Sequence, residues 1–488
     1  LKKTNLIIIL ILTVTFGYSQ ERKGAHQLEW EAHKNNVEIL HKKQSTEDII
    51  PLNKTKSEQK ELSAAVFGYL PDWEYNKSAP QYFQYDLLSH IACFDFGVFI
   101  TDGSISNPSG WPWTSMINDA HTNGVKVIMC VIEFDNDDIH TIITNTAVKN
   151  NFFANVKSTI ETYNLDGVNI DFEGLYYDDR ANNINPFMSE LTDYIHTNIG
   201  SDQEISFAGP AVNWGSWDLP GLASACDYIF IMGYGYWWSG SSTAGPVSPL
   251  DGSTYNIART LTDVSKGYGT VTQNNPEKLI LGIPYYGRKW ETAKQKEESS
   301  VVEHIGSKTF SSAQSESETY GLLWSSKYKT PWYTYQSSGK YYQVWFDNDS
   351  SLGLKYDLAV EKDLRGVGMW ALGYDGSRDE LWDKLREKFT VTSIHNNNEV
   401  PDRIKLFSNY PNPFNPITTI KYEIANSDLV QLNIYNLIGE KVAILVNDYK
   451  VAGNYSVELN GSNLPSGVYV YVLKVGSVYK VKKMVLLK

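Results

Sequence analysis

Leu165-Asp166-Gly167-Val168-Asn169-Ile170-Asp171-Phe172-Glu173 is the stretch on which the fold is decided. Apolar and polar residues alternate in it, the period of a strand whose successive side chains point to opposite faces. Val168, Ile170 and Phe172 share one face and suit contact with covering helices. Asn169, Asp171 and Glu173 share the other.

Seven further segments read as strands: Ala65–Leu70, His90–Val98, Val125–Ile132, Glu204–Ala211, Tyr228–Tyr234, Lys278–Pro284 and Gly366–Leu372. Segments with helical spacing separate them, for example Asn150–Tyr163. Eight alternating units predict an α/β fold, a (β/α)8 TIM barrel. The span exceeds the ~250 residues typical of that fold. The excess lies at Glu291–Lys340, rich in Ser, Lys, Tyr and Trp, and predicts an insertion after the seventh strand at the active-site face.

The polar face of the fourth strand then points into a barrel interior, which branched apolar residues normally fill. A structural hydrogen-bond network is the bland explanation. Against it, Glu173 stands at the strand's C-terminal end, where barrels of this type keep their active sites. Two inward carboxylates two residues apart repel each other, and burial adds to that. At least one pKa should rise, which suits a general acid near neutral pH.

Residues 65–390 resemble the catalytic barrel of family 18 glycoside hydrolases, the chitinases and their relatives. That family's fourth-strand signature is Asp-Gly-x-Asp-x-Asp-x-Glu. Asp166, Gly167, Asp171 and Glu173 match it, and Asn169 stands where the second Asp is usual. Phe67-Gly68-Tyr69, Ala208-Gly209-Pro210-Ala211, Met232-Gly233-Tyr234, Gly282-Ile283-Pro284-Tyr285-Tyr286-Gly287-Arg288 and Gly366-Val367-Gly368-Met369-Trp370 resemble the first, fifth, sixth, seventh and eighth strands. Gly235 replaces the Asp that usually follows Tyr234. The third strand ends in Glu133, Phe134 and Asp135 instead of the usual Ser-x-Gly-Gly.

The resemblance implies a retaining mechanism in which the substrate's own acetamido group is the nucleophile. Glu173 would be the acid and base, Asp171 would hold the amide N–H, and Tyr234 would steady the acetamido oxygen. Asn169 would orient Asp171, and Trp370 would floor the sugar site. Tyr69, Trp73, Tyr286, Trp237 and Met232 are the further substrate-binding candidates, being in or next to matched motifs. Trp238 is a further stacking candidate. The expected activity is hydrolysis of β-1,4-linked N-acetylglucosamine polymers, chitin first and peptidoglycan or N-glycan cores after it. The alternative is a catalytically weak chitin- or peptidoglycan-binding protein on the same barrel, which Gly235 would favour.

The ends of the chain have other compositions. Lys2 and Lys3, the apolar run Leu6–Phe16 and Gly17-Tyr18-Ser19 read as a cleaved signal peptide over residues 1–19. Residues 20–62 read as a polar linker or propeptide, with His26, His33 and His41 as solvated residues. Residues 63–392 then hold the barrel and 393–402, with Asn396-Asn397-Asn398 and Pro401, a linker. Residues 403–488 show strands alone. Val430, Leu432 and Ile434 alternate with Gln431 and Asn433, which predicts a half-buried strand in a small β-sandwich. Asn409-Tyr410-Pro411-Asn412-Pro413-Phe414-Asn415-Pro416 and Leu464-Pro465-Ser466-Gly467-Val468-Tyr469 closely resemble the C-terminal sorting domain of the type IX secretion system. That resemblance implies export through the periplasm to the cell surface or medium, with the secretion machinery as partner.

Charge follows the same division. Among 488 residues, 43 Lys and Arg stand against 56 Asp and Glu, a net of −13, yet residues 403–488 carry 10 basic and 5 acidic side chains. The acidic body argues against nucleic acid as the main partner, since phosphate binding needs surplus Lys and Arg. No other stretch is long and apolar enough to span a membrane. No His-x-His or Cys-x-x-Cys pattern occurs, so no metal or cofactor is expected. Asp135, Asp137 and Asp138 read as a helix N-cap region rather than a calcium site. Cys93, Cys130 and Cys226 read as buried free thiols.

Overall fold

The computed structural model describes residues 23–34, 62–390, 404–409, 411–425, 427–476 and 478–488. The expected signal peptide, His41 and the Asn396-Asn397-Asn398 linker lie outside the described residues.

Eight strands run parallel: β1 (Ala65–Pro71), β2 (His90–Phe99), β3 (Lys126–Glu133), β4 (Gly167–Phe172), β5 (Glu204–Pro210), β6 (Tyr228–Met232), β7 (Leu279–Pro284) and β8 (Gly366–Trp370). Each pairs with the next, and β1 pairs with β8 as well as β2, so the sheet closes into the expected barrel.

Helices cover the outside for reasons visible in their sequences. Thr146–Tyr163 buries Val148, Phe152, Phe153, Val156 and Ile160, one stripe of a 3.6-residue period. Asn145 starts it, its side chain accepting the N–H groups of Ala147 and Val148. Asn164 ends it in the left-handed conformation, φ 55°. Phe172 of β4 faces outward onto Phe187 of the helix Ile184–Asn198, ring centroids 6.0 Å apart. That contact fixes which face of β4 looks inward.

The insertion is larger than expected. It is a five-stranded antiparallel sheet that starts at Tyr286, two residues past β7, and ends at Trp345. Trp332 and Trp345 stack in its core at 4.9 Å, with Trp290 and Tyr328 beside them. Beyond the barrel, two antiparallel sheets face each other over Ile420, Val430, Leu432, Ile434, Tyr471 and Leu473. The alternation read at Val430, Leu432 and Ile434 holds, all three being fully buried.

The closed end of the barrel is polar. Glu204, at the start of β5, accepts from His90 at 2.8 Å, Lys126 at 2.5 Å and Arg365 at 2.9 Å. Burial alone would raise its carboxyl pKa. The surrounding cations outweigh that and hold it well below the usual range. The three cysteines are free and buried.

Two residues of the opening stretch serve the fold rather than the chemistry. Asp166 accepts the Val127 N–H at 2.7 Å and His121 Nε2 at 2.9 Å, tying β4 to β3. Gly167 has φ +150°, and a Cβ there would stand 2.0 Å from the Glu204 carbonyl oxygen. Gly167→Ala should therefore cost more than about 1 kcal/mol, read as a lowered Tm with reduced soluble yield. An unchanged Tm would refute the close-packing argument.

Candidate active site

Strand β4 delivers Asn169 and Asp171 inward, and Glu173 follows at its end, with its N–H donating to the Glu133 carbonyl at 3.1 Å. Asn169 lies deepest and is fully buried. Its Oδ1 accepts from the Tyr69 hydroxyl at 2.8 Å, and its Nδ2 donates to Ser206 Oγ at 2.9 Å. The expected orienting bond from Asn169 to Asp171 is thus not the one formed. The facing residues on β1 and β5 offer the amide both a donor and an acceptor.

Asp171 is fully buried. Burial pushes its carboxyl pKa well above the ordinary range. Glu173 is raised to about 7, first by burial and then by the neighbouring Asp171. Tyr234, just past β6, is also buried, and Trp370 ends β8 beneath the same point.

The N-terminal segment changes this site. Residues 20–62 were expected to be a linker with solvated histidines, but Ala25–Lys34 forms a helix lying in the barrel mouth. His26 is fully buried, and its imidazole stacks on Trp370 at a centroid distance of 3.8 Å. Its Nδ1 lies 2.6 Å from Asp171 Oδ2 and its Nε2 2.5 Å from the Tyr234 hydroxyl. Glu173 accepts the backbone N–H of Gln27 at 2.8 Å and of His26 at 3.4 Å. His33 stacks on Trp73 at 4.4 Å. No apolar stripe marks this helix, because its buried positions, His26 and Glu29, are polar and meet Asp171, Tyr234, Ser307 and Tyr374.

The other site candidates divide. Tyr69 and Tyr286 are buried around the same point, Tyr286 with its ring 6.2 Å from Tyr234. Met232 lines an open cleft of about 840 Å³ beside the helix, together with Trp214, Trp217, Trp238 and Arg288. Trp237 does not line that cleft. It packs on Tyr328 of the inserted lobe at 5.1 Å, because the lobe supplies a closer apolar surface than the barrel mouth.

Two groups escaped the sequence reading. Asp95 of β2 is half-buried, raised to about 7 by its removal from water and by Asp72, and accepts from Trp30 Nε1 of the helix. A lone acid in the apolar run Ile91–Val98 was the available signal. Arg288 is 2 % exposed, and its Nε and Nη2 make no hydrogen bond among the described residues.

His26, Asp171 and Glu173 place donor atoms within 4.8 Å of one another. Those atoms are engaged with each other, with Tyr234 and with backbone N–H groups, so the arrangement is a hydrogen-bonded set rather than a ready cation cage. Asp135 caps the helix Asn136–Thr144 through the N–H groups of Asp137 and Asp138, in line with the N-cap reading. No described helix is long and apolar enough to cross a membrane.

Residues 65–375 match the model of glycosyl hydrolases family 18, and residues 408–487 that of a secretion system C-terminal sorting domain. The chain belongs to glycosyl hydrolase family 18. It is a glycoside hydrolase whose sorting domain directs it across the outer membrane to the cell surface or exterior. Its relatives include human di-N-acetylchitobiase, 26% identical over 347 residues, 60% of this chain and 84% of that protein. A cortical fragment-lytic enzyme of Bacillus anthracis is 24% identical over 321 residues, 62% of this chain and 69% of that one. The fold is shared with a family 18 chitinase from Cycas revoluta solved with (GlcNAc)3. Its TM-score is 0.59 and its identity 18%, covering 67% of this chain and 99% of that one.

An acid raised to about 7 is protonated below that pH and ionised above it. The kcat/KM profile of this glycosidase should therefore fall on an alkaline limb above the ordinary carboxylate range, since, beyond burial, Asp171 raises Glu173 with the helix seated or withdrawn. Asp171→Asn removes the like charge and should move that limb to lower pH. A limb that stays in place would show that Asp171 does not act on Glu173.

Proposed function

We propose that the enzyme hydrolyses β-1,4-linked N-acetylglucosamine polymers with retention, using the substrate's acetamido group as nucleophile. The observation that carries this reading is the pair of contacts made by His26. With its proton on Nδ1, a neutral imidazole offers a donor to Asp171 and an acceptor to Tyr234 across a single carbon. An acetamido group offers the same pair, N–H and C=O, also across a single carbon. Trp370 beneath supplies the flat apolar face that a pyranose ring needs.

In that pose Glu173 protonates the glycosidic oxygen, which leaves as the bond to the anomeric carbon breaks. The acetamido oxygen bonds to that carbon on the opposite face. Asp171 accepts the amide N–H and balances the positive charge of the oxazolinium. Tyr234 donates to the acetamido oxygen and aims it. Water then adds at the anomeric carbon, its proton passing to Glu173, and the ring reopens with configuration retained. Tyr69, through Asn169, and Tyr286 shape the walls of this site rather than touching the scissile bond.

Glu173→Gln should lower kcat on chitooligosaccharides by roughly 10²- to 10⁴-fold with little change in KM, the usual worth of a positioned general acid. Equal rates for wild type and variant, followed by reducing-end release, would remove Glu173 from the reaction.

Arg288 favours a second reading of the substrate. A buried guanidinium with unpaired donors beside a sugar cleft suits a glycan that carries carboxylates, such as peptidoglycan. On this reading Arg288→Gln raises KM for peptidoglycan by about tenfold, the loss of one charge-assisted hydrogen bond, and leaves KM for uncharged chitooligosaccharides alone. An equal effect on both substrates would assign Arg288 to packing.

A further inference from the structure

We propose that the helix Ala25–Lys34 is an autoinhibitory plug. It seats His26 where the N-acetylated sugar ring belongs, and it keeps the hydrolase latent until it is withdrawn. The inference rests on the substrate reading above for what His26 imitates, but its core is geometric.

The helix is fitted to the catalytic groups and not merely laid over them. The first N–H groups of a helix have no partner inside it. Here Glu173 provides one, accepting from His26 and Gln27, and its carboxylate sits at the positive end of the helix dipole. The acid that must reach the glycosidic oxygen is thereby occupied. Asp171 and Tyr234 are occupied by the imidazole, and Trp370 is covered by it. All four groups assigned to the reaction are engaged by one side chain and two backbone N–H groups.

The approach depends on small residues. A Cβ at Gly24 would stand 2.2 Å from both the Glu173 carboxyl carbon and its Oε2, so with a larger residue there either the helix or the Glu173 carboxyl must move. On the barrel side, Gly235 has φ +77°, and a Cβ there would point at the Ala25 methyl, 3.9 Å away. A longer side chain at Gly235 would enter the space the helix fills.

Further contacts hold the helix along its length. Glu29 accepts from Ser307 Oγ at 2.5 Å and from the Tyr374 hydroxyl at 3.3 Å. Trp30 donates to Asp95, and His33 stacks on Trp73. These anchors come from β2, the inserted lobe and the segments after β1 and β8, so the helix is gripped on several sides. The cleft of about 840 Å³ on its other flank stays open. The plug therefore blocks the reacting position while part of a glycan still has a surface to lie on.

Gly24→Val in the full chain tests this, because the added side chain collides with the Glu173 carboxyl only while the helix is seated. The variant should hydrolyse N-acetylglucosamine oligomers with a kcat/KM at least about tenfold above wild type, as expected when an occluded state gives way to an open one. A synthetic peptide of residues 20–36 should inhibit the variant competitively. It should also bind it in calorimetry with no glycan present. The same peptide with His26→Ala should bind at least about tenfold more weakly. Failure of the peptide to bind, or indifference to the His26 change, would overturn the plug. So would hydrolysis slower than wild type by both the Gly24→Val enzyme and a Trp30→Ala chain, which loses a helix anchor away from Glu173; that would make the helix part of the working site. Peptide binding that depends on His26, with no glycan hydrolysed by any form, would uphold the plug and sink the substrate reading instead.

Discussion

Two carboxyl groups on one face of one strand, two residues apart and sealed from water, cannot both hold a charge at modest cost. Burial disfavours each anion, and each anion disfavours the other. The barrel is built around that constraint. Asn169, one step deeper on the same face, is neutral, and its amide is fully committed to Tyr69 and Ser206. A third carboxylate at that depth would have added to the repulsion. The opposite arrangement holds at the closed end, where Glu204 is buried among His90, Lys126 and Arg365 and stays ionised. One barrel thus keeps one acid charged as a structural tie and two acids pushed toward the protonated form. The difference lies in the cations supplied to each.

The same constraint explains what the N-terminal helix does for the closed form. Asp171 and Glu173 need hydrogen-bond donors whenever no substrate provides them. Leaving a buried acceptor unsatisfied costs about 1–3 kcal/mol, and more if it is charged. The helix supplies backbone N–H groups to Glu173 and an imidazole to Asp171. Burial holds that imidazole's pKa down at about 4, against the pull of Glu173 and Glu29, so near neutral pH it enters as a neutral group. A neutral ring with one donor and one acceptor is what the pair Asp171 and Tyr234 can receive without a further charge in the site.

The barrel was legible because its signal is local and repeated. Eight apolar runs at spaced intervals, and one polar-inward strand among them, are period-2 patterns that tertiary contacts reinforce. The C-terminal sheets were legible for the same reason, through Val430, Leu432 and Ile434. The candidate residues Asp171, Glu173, Tyr234 and Trp370 were reached through the fourth-strand alternation and a family resemblance, and His26 touches all four. What stayed hidden was carried by polar contacts between segments far apart in the chain. His26 and Asp171 are 145 residues apart, and nothing in an amphipathic pattern marks a helix whose buried face is His26 and Glu29. Trp237 was misplaced for a related reason. A Trp beside a site motif carries no mark that says whether the mouth or a neighbouring lobe will cover it, and here Tyr328 does.

The plug and the cleft also bear on how sugar would enter. Withdrawing the helix uncovers Trp73 and Trp370 together, since His33 covers one and His26 the other. It simultaneously frees Asp95, whose carboxyl pKa is raised by removal from water and in part by Asp72, and which accepts from Trp30. Two aromatic faces and two acids would then extend the open cleft of Met232, Trp214 and Trp238 past Asp171 and Glu173. A continuous groove on both sides of Glu173 would let the enzyme bind sugars on either side of the scissile bond. With the helix seated, only one side is available, and a chain in the cleft would reach Glu173 from that side alone. Latency then follows from the loss of half a binding surface as well as from the occupation of the reacting groups.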